Sequence, residues 1–102
     1  MTDLVKRLEQ LLVSLSDGEW EHGLGITIEN LDNPGWSIRV CLDGTPFDHL
    51  IVSPRMTERS DRDWIHLATE KNGHDTFLVC ACGPENLSEA LATILDLLDQ
   101  PA

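Results

Sequence analysis

The spacing of apolar side chains along the chain predicts a helix near each end. Leucines recur every three or four residues near the N-terminus, which is typical of an amphipathic helix capped by Thr2 or Asp3. A similar recurrence near the C-terminus predicts a second helix, with Asn86 as its N-cap and Glu89 as the capping-box partner. The two apolar stripes consist of Leu4, Leu8, Leu11, Leu12 and Leu15 in the first helix and of Leu87, Leu91, Ile94, Leu95 and Leu98 in the second.

Between the helices, apolar and polar side chains alternate, which predicts half-buried strands. Residues 25–31 and 36–42 form the first alternating pair and are separated by an Asn-Pro-Gly turn sequence. If the apolar faces of both strands point to the same core, Asp32 lies opposite Trp36. This register predicts a three-residue loop in which Gly35 is left-handed.

A second pair of alternating segments, residues 63–70 and 75–82, flanks the dipeptide Asn72-Gly73. This dipeptide predicts a type I′ turn with both residues left-handed, so that Lys71 lies opposite His74. The register assigns one face to Ile65, Leu67, Leu78 and Cys80, and the other face to Trp64, His66, Phe77 and Val79. Because both faces are largely apolar, we expect this hairpin to lie centrally in the sheet or to expose an aromatic surface.

The segment from Asp43 to Asp61 has no clear period and contains Pro46 and Pro54. The apolar residues Phe47, Leu50, Ile51 and Val52 between these prolines would add a short edge strand if this segment, 47–52, pairs with the sheet. The predicted fold is therefore α+β, with the element order α-β-β-β-β-α. The sheet is antiparallel, with four strands or five if the edge strand forms, and both terminal helices pack on one face. At 102 residues, the chain is expected to form a single domain, 1–102.

The chain carries 18 acidic and 7 basic residues, a net charge of −11. This charge disfavours binding to the phosphate backbone of nucleic acids and favours fast association with a basic protein partner. No apolar run is long enough to span a membrane, and the N-terminus does not resemble a signal peptide. Together with an odd number of cysteines, three, these features predict a cytoplasmic protein with reduced thiols and no membrane association.

The histidines and cysteines give little support for a metal site or an enzyme. Cys80 and Cys82 share one face of a strand, but no second close pair of ligands accompanies them, so we predict no metal. The alternative to a binding protein is a small enzyme that uses His22 or Cys82. No hydroxyl nucleophile follows His22 at a meaningful spacing, and Cys82 precedes an acidic segment. We therefore predict no catalytic residue and no cofactor.

The three tryptophans are more informative. Trp20 lies between Glu19 and Glu21 in a glycine-rich connection, a composition typical of the energetic centre of a protein–protein contact. Trp36 and Trp64 each open a predicted strand. Core packing is the alternative interpretation for each of the three. The residues around Trp20 favour the binding of a protein over the turnover of a substrate.

Several short motifs are distributed over the whole chain. They are Gly18-Glu19-Trp20-Glu21-His22, Gly25-Ile26, Leu31-Asp32-Asn33-Pro34-Gly35-Trp36-Ser37, Glu58-Arg59-Ser60, Asp63-Trp64-Ile65, Gly83-Pro84 and Asn86-Leu87. These motifs resemble the signature of the immunity protein 53 family. The resemblance implies a small bacterial cytoplasmic protein, encoded beside a polymorphic toxin gene, that binds the toxin domain and neutralises it.

The resemblance and the charge together predict a non-enzymatic inhibitor that occludes the active site of its cognate toxin domain. A toxin with a basic cleft, such as a nuclease, is the partner that a charge of −11 suits. The candidate toxin-binding residues are Asp17, Glu19, Trp20, Glu21, His22, Asp43, Asp48 and Trp64. A third interpretation is a homodimeric structural subunit that buries the face bearing Trp64 and Phe77, and the choice between monomer and homodimer stays open.

Overall fold

The computed structural model describes residues 3–99, which form two α-helices and five β-strands. Helix α1 spans Leu4–Leu15, and helix α2 spans Leu87–Leu97. The strands are β1 (Ile26–Leu31), β2 (Gly35–Cys41), β3 (Arg55–Ser60), β4 (Asp63–Asn72) and β5 (Asp75–Cys82), and a 3₁₀ turn at Trp20–His22 follows α1. The predicted α+β class, with one helix near each end of the chain, is confirmed.

All neighbouring strands are antiparallel, in the order β1-β2-β5-β4-β3. The two predicted hairpins, β1–β2 and β4–β5, meet through the pairing of β2 with β5. The fifth strand is β3 and not the segment 47–52. Every residue of β3 is exposed, so this strand lacks the alternation that identifies the other strands. Phe47 and Val52 instead insert into the core.

The hydrophobic core lies between the helices and one face of the sheet. Its helical part consists of Leu11, Leu15, Ala90, Leu91, Ile94, Leu95 and Leu98. Its sheet part consists mainly of Ile38, Val40, Ile65, Leu67, Leu78, Cys80 and Cys82. Because side chains alternate along a strand, the residues between these point to the other side. We call that side the open sheet face, and Arg39, Met56, Trp64, His66, Val79 and Ala81 define it.

The first hairpin differs from its predicted register by two residues. Leu31 lies opposite Gly35, and residues 32–34 form the loop. Gly35 is the first residue of β2 and is not left-handed, contrary to the prediction. A Cβ atom at this position would clash with the carbonyl oxygen of Cys82 on β5. Glycine is therefore required here by the close approach of two strands and not by the turn.

The second hairpin is shifted from its predicted register in the same way. Asn72 lies opposite Asp75, and Gly73-His74 forms the two-residue loop. Gly73 has a φ of 67°, and no other residue type in the described range has a positive φ, so only the first loop residue is left-handed, as in a type II′ turn. The predicted type I′ turn and the pairing of Lys71 with His74 are wrong. The predicted faces are nevertheless correct, because a shift of two residues keeps every side chain on its side.

The N-cap of α1 is Asp3. Its carboxylate accepts hydrogen bonds from the N–H groups of Val5 (3.0 Å) and Lys6 (3.3 Å). Thr2, the other predicted cap, lies outside the described residues. One leucine of the predicted stripe, Leu12, is 45% exposed and does not belong to the core.

The predicted capping box of α2 is wrong. Asn86 occupies the N-cap position, but its side chain makes no hydrogen bond to the helix. Its side-chain oxygen accepts from the N–H of Trp64 at 3.2 Å, and its Nδ2 donates to Asp63 at 2.9 Å. Glu89 instead forms a 2.6 Å ion pair with Arg59. Asn86 therefore links α2 to β4, and Glu89 links it to β3, although both strands lie much earlier in the sequence.

Candidate functional site

The predicted anchor, residues 17–22, connects α1 to the sheet, and we call it the junction. Asp17 Oδ1 accepts hydrogen bonds from the N–H groups of Trp20 (2.8 Å) and Glu19 (2.9 Å), which lower the pKa of the Asp17 carboxyl. The Glu21 carboxylate bonds the N–H groups of Asp17 and Gly18 at 2.9–3.1 Å. Hydrogen bonding to its own backbone N–H and to these two lowers the pKa of Glu21. Two of the candidate carboxylates therefore already hold the local backbone.

Trp20 lies inside the protein. Its side chain is only 7% exposed, and it packs in the core. Its indole N–H donates to the carbonyl oxygen of Cys41 at 2.9 Å. Glu19 and His22, on either side of it, are exposed. The junction thus presents four polar side chains to solvent, those of Asp17, Glu19, Glu21 and His22, while its aromatic ring faces the core.

Asp43 and Asp48 lie beyond the end of β2. Asp43 is half-buried, and its Oδ2 accepts from the N–H of Thr76 at 2.9 Å and lies 3.7 Å from Cys41 Sγ. Asp48 is exposed, with its Oδ1 3.4 Å from Nε2 of His49. Because Trp20 and Asp43 both contact Cys41, the structure brings the junction and Asp43 to the same end of the sheet.

Trp64 stands apart from the other candidate residues. Its Cζ2 atom lies 3.5 Å from the position of a Cβ on Gly35, at the start of β2. Gly35 and Cys41 are the two ends of that strand, so Trp64 and Trp20 mark opposite ends of the sheet, roughly 20 Å apart at ~3.4 Å per residue. The ring of Trp64 also contacts His66, with 5.0 Å between ring centroids.

Two adjoining cavities indent the open sheet face, and both are lined by His66 and Ala81. The larger, of about 450 Å³, is lined chiefly by Ser37, Arg39, Pro54, Arg55, Met56, His66, Ala68, Glu70, Val79 and Ala81. The smaller, of about 390 Å³, is lined by Asn33, Glu58, Ser60, Asp61, Trp64, His66 and Ala81. We call the smaller one the indole cavity. The sequence indicated Trp64 and His66, but it did not indicate Glu58 or Asp61, because β3 and the turn after it show no alternation.

Charged side chains of both signs surround these cavities. Glu58 Oε1 lies 2.8 Å from Nε2 of His66. The Arg39 guanidinium lies over the ring of Phe77, 4.6 Å from its centroid. Within residues 3–99, neither Arg39 nor Arg55 has a carboxylate at ion-pair distance, whereas Arg59 binds two. The open sheet face thus combines an apolar floor with the Glu58–His66 pair and with Arg39, which has no carboxylate at ion-pair distance in this range.

The side chains proposed for catalysis are poorly placed for it. Cys82 is fully buried, and burial raises the pKa of its thiol, as it raises the pKa of Cys80 to about 12. His22 is exposed and forms no side-chain hydrogen bond to another described residue. In residues 3–99, no three histidine, cysteine or carboxylate side chains are grouped to hold a metal ion. No helix in this range has the length and apolar character needed to cross a membrane.

Comparison with known proteins gives one match. The family model described as Immunity protein 53 matches residues 5–99 of the 102-residue chain. No curated protein and no solved structure matches. The match reaches from the first turn of α1 to beyond the end of α2, so it includes the junction and the open sheet face.

Proposed function

The chain belongs to the immunity protein 53 family, and we propose from this membership that it binds a cognate bacterial toxin domain and neutralises it without catalysis of its own. The family match over residues 5–99 is the observation that carries the proposal. An immunity role requires a toxin as the partner. A stable one-to-one complex that covers the active site of the toxin is the simplest way for a chain of this size to act.

The charge of the chain supports a toxin with a basic cleft. A net charge of −11 attracts a basic surface over several ångströms and raises the rate of association, by about 10–1,000-fold in steered complexes at low salt. A toxin that acts on nucleic acid has such a surface, because it must bind phosphates. Carboxylates of this protein would then occupy the positions of substrate phosphates and keep the substrate out.

Two exposed surfaces could make this contact. One is the junction, where Glu19 and His22 face solvent, together with the nearby Asp48. The other is the open sheet face around Trp64. The sequence favours the junction. Because Trp20 is buried, however, the junction lacks the aromatic anchor that was predicted for it.

Co-purification tests the proposal. The full chain would be co-expressed with the toxin domain encoded by the neighbouring gene, with an affinity tag on the toxin domain alone. We expect both proteins to elute together with the mass of a one-to-one complex, and toxin-expressing cells to survive. An unrelated protein of similar size and charge serves as the control for nonspecific electrostatic binding. Separate elution, together with cell death in the presence of the folded chain, would refute the proposal.

A further inference from the structure

Three polar groups around the indole cavity make no hydrogen bond within residues 3–99. They are the indole N–H of Trp64, the carboxylate of Asp61 and Oε2 of Glu58. The indole N–H groups of Trp20 and Trp36 donate to backbone carbonyl oxygens, but that of Trp64 has no acceptor within residues 3–99. The Asp61 carboxylate makes no hydrogen bond or ion pair in the same range, and Glu58 uses only Oε1. These groups line one concave site on the open sheet face, on the side away from the helices.

We propose that the toxin domain docks on the open sheet face and inserts a basic side chain into the indole cavity, between Trp64 and the carboxylates of Glu58 and Asp61. The proposal rests on the proposed function and adds the surface and the chemistry of the contact. A guanidinium is planar, so it can lie on the indole ring while its N–H groups reach the two carboxylates. The cavity volume of about 390 Å³ lies within the ~300–1,000 Å³ range of pockets that enclose small ligands, so it is large enough for such a side chain.

The larger cavity orients the partner. Arg39 lines it without a carboxylate partner in the described chain, although the protein has 18 acidic residues. A toxin surface with a carboxylate opposite Arg39 and a basic residue opposite Trp64 matches the face in one orientation only. In the reverse orientation, like charges meet, which disfavours the wrong register.

Charge also distinguishes this partner from a second copy of the chain. A twofold axis through the open sheet face would bring Arg39 of each copy towards Glu58 of the other, so the face is locally self-complementary. Each copy, however, carries a net charge of −11, and two copies repel each other over the whole surface. A basic partner can present the same charges opposite Arg39 and Glu58, and the net charge of −11 attracts it. The observations therefore favour the toxin domain.

The junction is the competing surface, and its groups are already engaged. Asp17 and Glu21 hold backbone N–H groups, and Trp20 is buried. A partner that bound these carboxylates would compete with the hydrogen bonds that shape the junction. On the open sheet face, Asp61 and the second oxygen of Glu58 accept a cation without such competition.

The first test uses an arginine peptide as the probe. The full chain, labelled with ¹⁵N, would be titrated with tetra-arginine amide, and the three indole N–H signals would be followed by NMR. We expect saturable shifts at Trp64 and Ala81, with little change at the indoles of Trp20 and Trp36, because these two donate to backbone carbonyls. Non-saturating shifts in the backbone N–H signals of all exposed acidic residues would overturn the proposal. So would a dimeric mass of the free protein in light scattering with the Trp64 signal protected.

The second test compares matched variants. Glu58→Gln with Asp61→Asn removes two negative charges from the indole cavity, and Glu85→Gln with Asp99→Asn removes two exposed charges elsewhere. All four side chains are exposed, so both proteins are expected to fold. We expect the cavity variant to weaken tetra-arginine binding about tenfold, and the control to weaken it less than threefold. Equal losses would show attraction by net charge alone and would overturn the proposal.

Binding of the toxin domain distinguishes an error in the docking surface from an error in the immunity role. The same two variants would be titrated with the toxin domain of the neighbouring gene in a calorimeter. We expect a loss of about tenfold or more for the cavity variant and a small loss for the control. Tight binding of both variants would refute the docking surface while the immunity role stands. Absence of binding by the wild-type chain would refute the immunity role itself, and with it this proposal.

Discussion

The indole N–H of Trp20 donates a 2.9 Å hydrogen bond to the backbone carbonyl oxygen of Cys41, at the end of β2. The N–H of Cys41 in turn donates to the carbonyl of Gly25 at 2.9 Å, just before β1. Cys41 is thus the point at which the junction and both strands of the first hairpin meet. The tryptophan flanked by carboxylates in the sequence is part of the core, and the half-buried ring of Trp64 lines the indole cavity with Glu58 and Asp61.

The first prediction concerns this hydrogen bond. Trp20→Phe keeps an aromatic ring in the core but leaves the buried carbonyl of Cys41 without its donor. We expect the free energy of unfolding to fall by about 1–3 kcal/mol, measured by urea denaturation followed by far-UV circular dichroism. Trp36→Phe is the control, because Trp36 is only half-buried and its 3.1 Å bond to Pro84 is more accessible to water. We expect a smaller loss for the control, and a larger one would contradict the assignment of Trp20 to the core.

The second prediction concerns the close contact of β2 with β5. Gly35→Ala places a Cβ against the carbonyl oxygen of Cys82 and within 3.5 Å of Leu31 and Trp64. The strands must separate locally. We therefore expect the free energy of unfolding to fall by roughly 1–3 kcal/mol. Ser37→Ala, two residues further on the same face of β2, should change stability by less than about 0.5 kcal/mol. If Gly35→Ala is as stable as Ser37→Ala, the approach of the two strands is wrong.

Alternation along the strands was sufficient to predict the faces of the sheet but not its registers. Both hairpins are shifted by two residues from the registers that their turn sequences indicated. A shift of two residues exchanges neighbours without moving any side chain to the other face, so the pattern cannot detect it. What fixes the register of the first hairpin lies far along the chain, because Gly35 is needed where β5 passes close to β2.

The same limit applies to the candidate site. Trp64 could be found from the sequence, because it lies in an alternating strand. Glu58 and Asp61 could not, because β3 is exposed on both sides and its contribution to the indole cavity depends on pairing with β4. The burial of Trp20 likewise depends on its contact with Cys41, 21 residues away. Local composition indicated an aromatic, acidic protein contact but did not indicate which tryptophan lines a surface cavity.

The third prediction concerns Asn86, whose buried side chain joins α2 to β4. Asn86→Ala leaves the N–H of Trp64 without its acceptor and Asp63 without one of its donors. We expect a loss of about 1–3 kcal/mol in the free energy of unfolding. Glu89→Gln tests the capping box that the sequence indicated. Since Arg59 keeps its second partner, Asp63, we expect a smaller loss for this variant. Equal losses would favour a cap contact between Asn86 and Glu89.

The fourth prediction concerns the dependence of stability on pH. The pKa of Asp17 is lowered in the folded protein, chiefly by the N–H of Trp20. A lowered carboxyl pKa adds stability above the pKa of the unfolded chain, and this contribution is lost as the pH falls through the folded value. We therefore expect Asp17→Asn to be less stable than the wild type at pH 7, with a difference that shrinks below about pH 4. Denaturation curves of both proteins at several pH values measure this difference, and a difference that stays constant down to about pH 2 would contradict the role of the Asp17 carboxylate.

Titration of toxin activity tests directly whether this protein neutralises a toxin. The activity of the cognate toxin domain would be measured at a fixed toxin concentration while the purified chain is added in steps. We expect the toxin activity to fall linearly and to reach zero at one molecule of this protein per toxin domain. Full activity in the presence of a several-fold excess of the folded chain would contradict the claim that this protein neutralises the toxin.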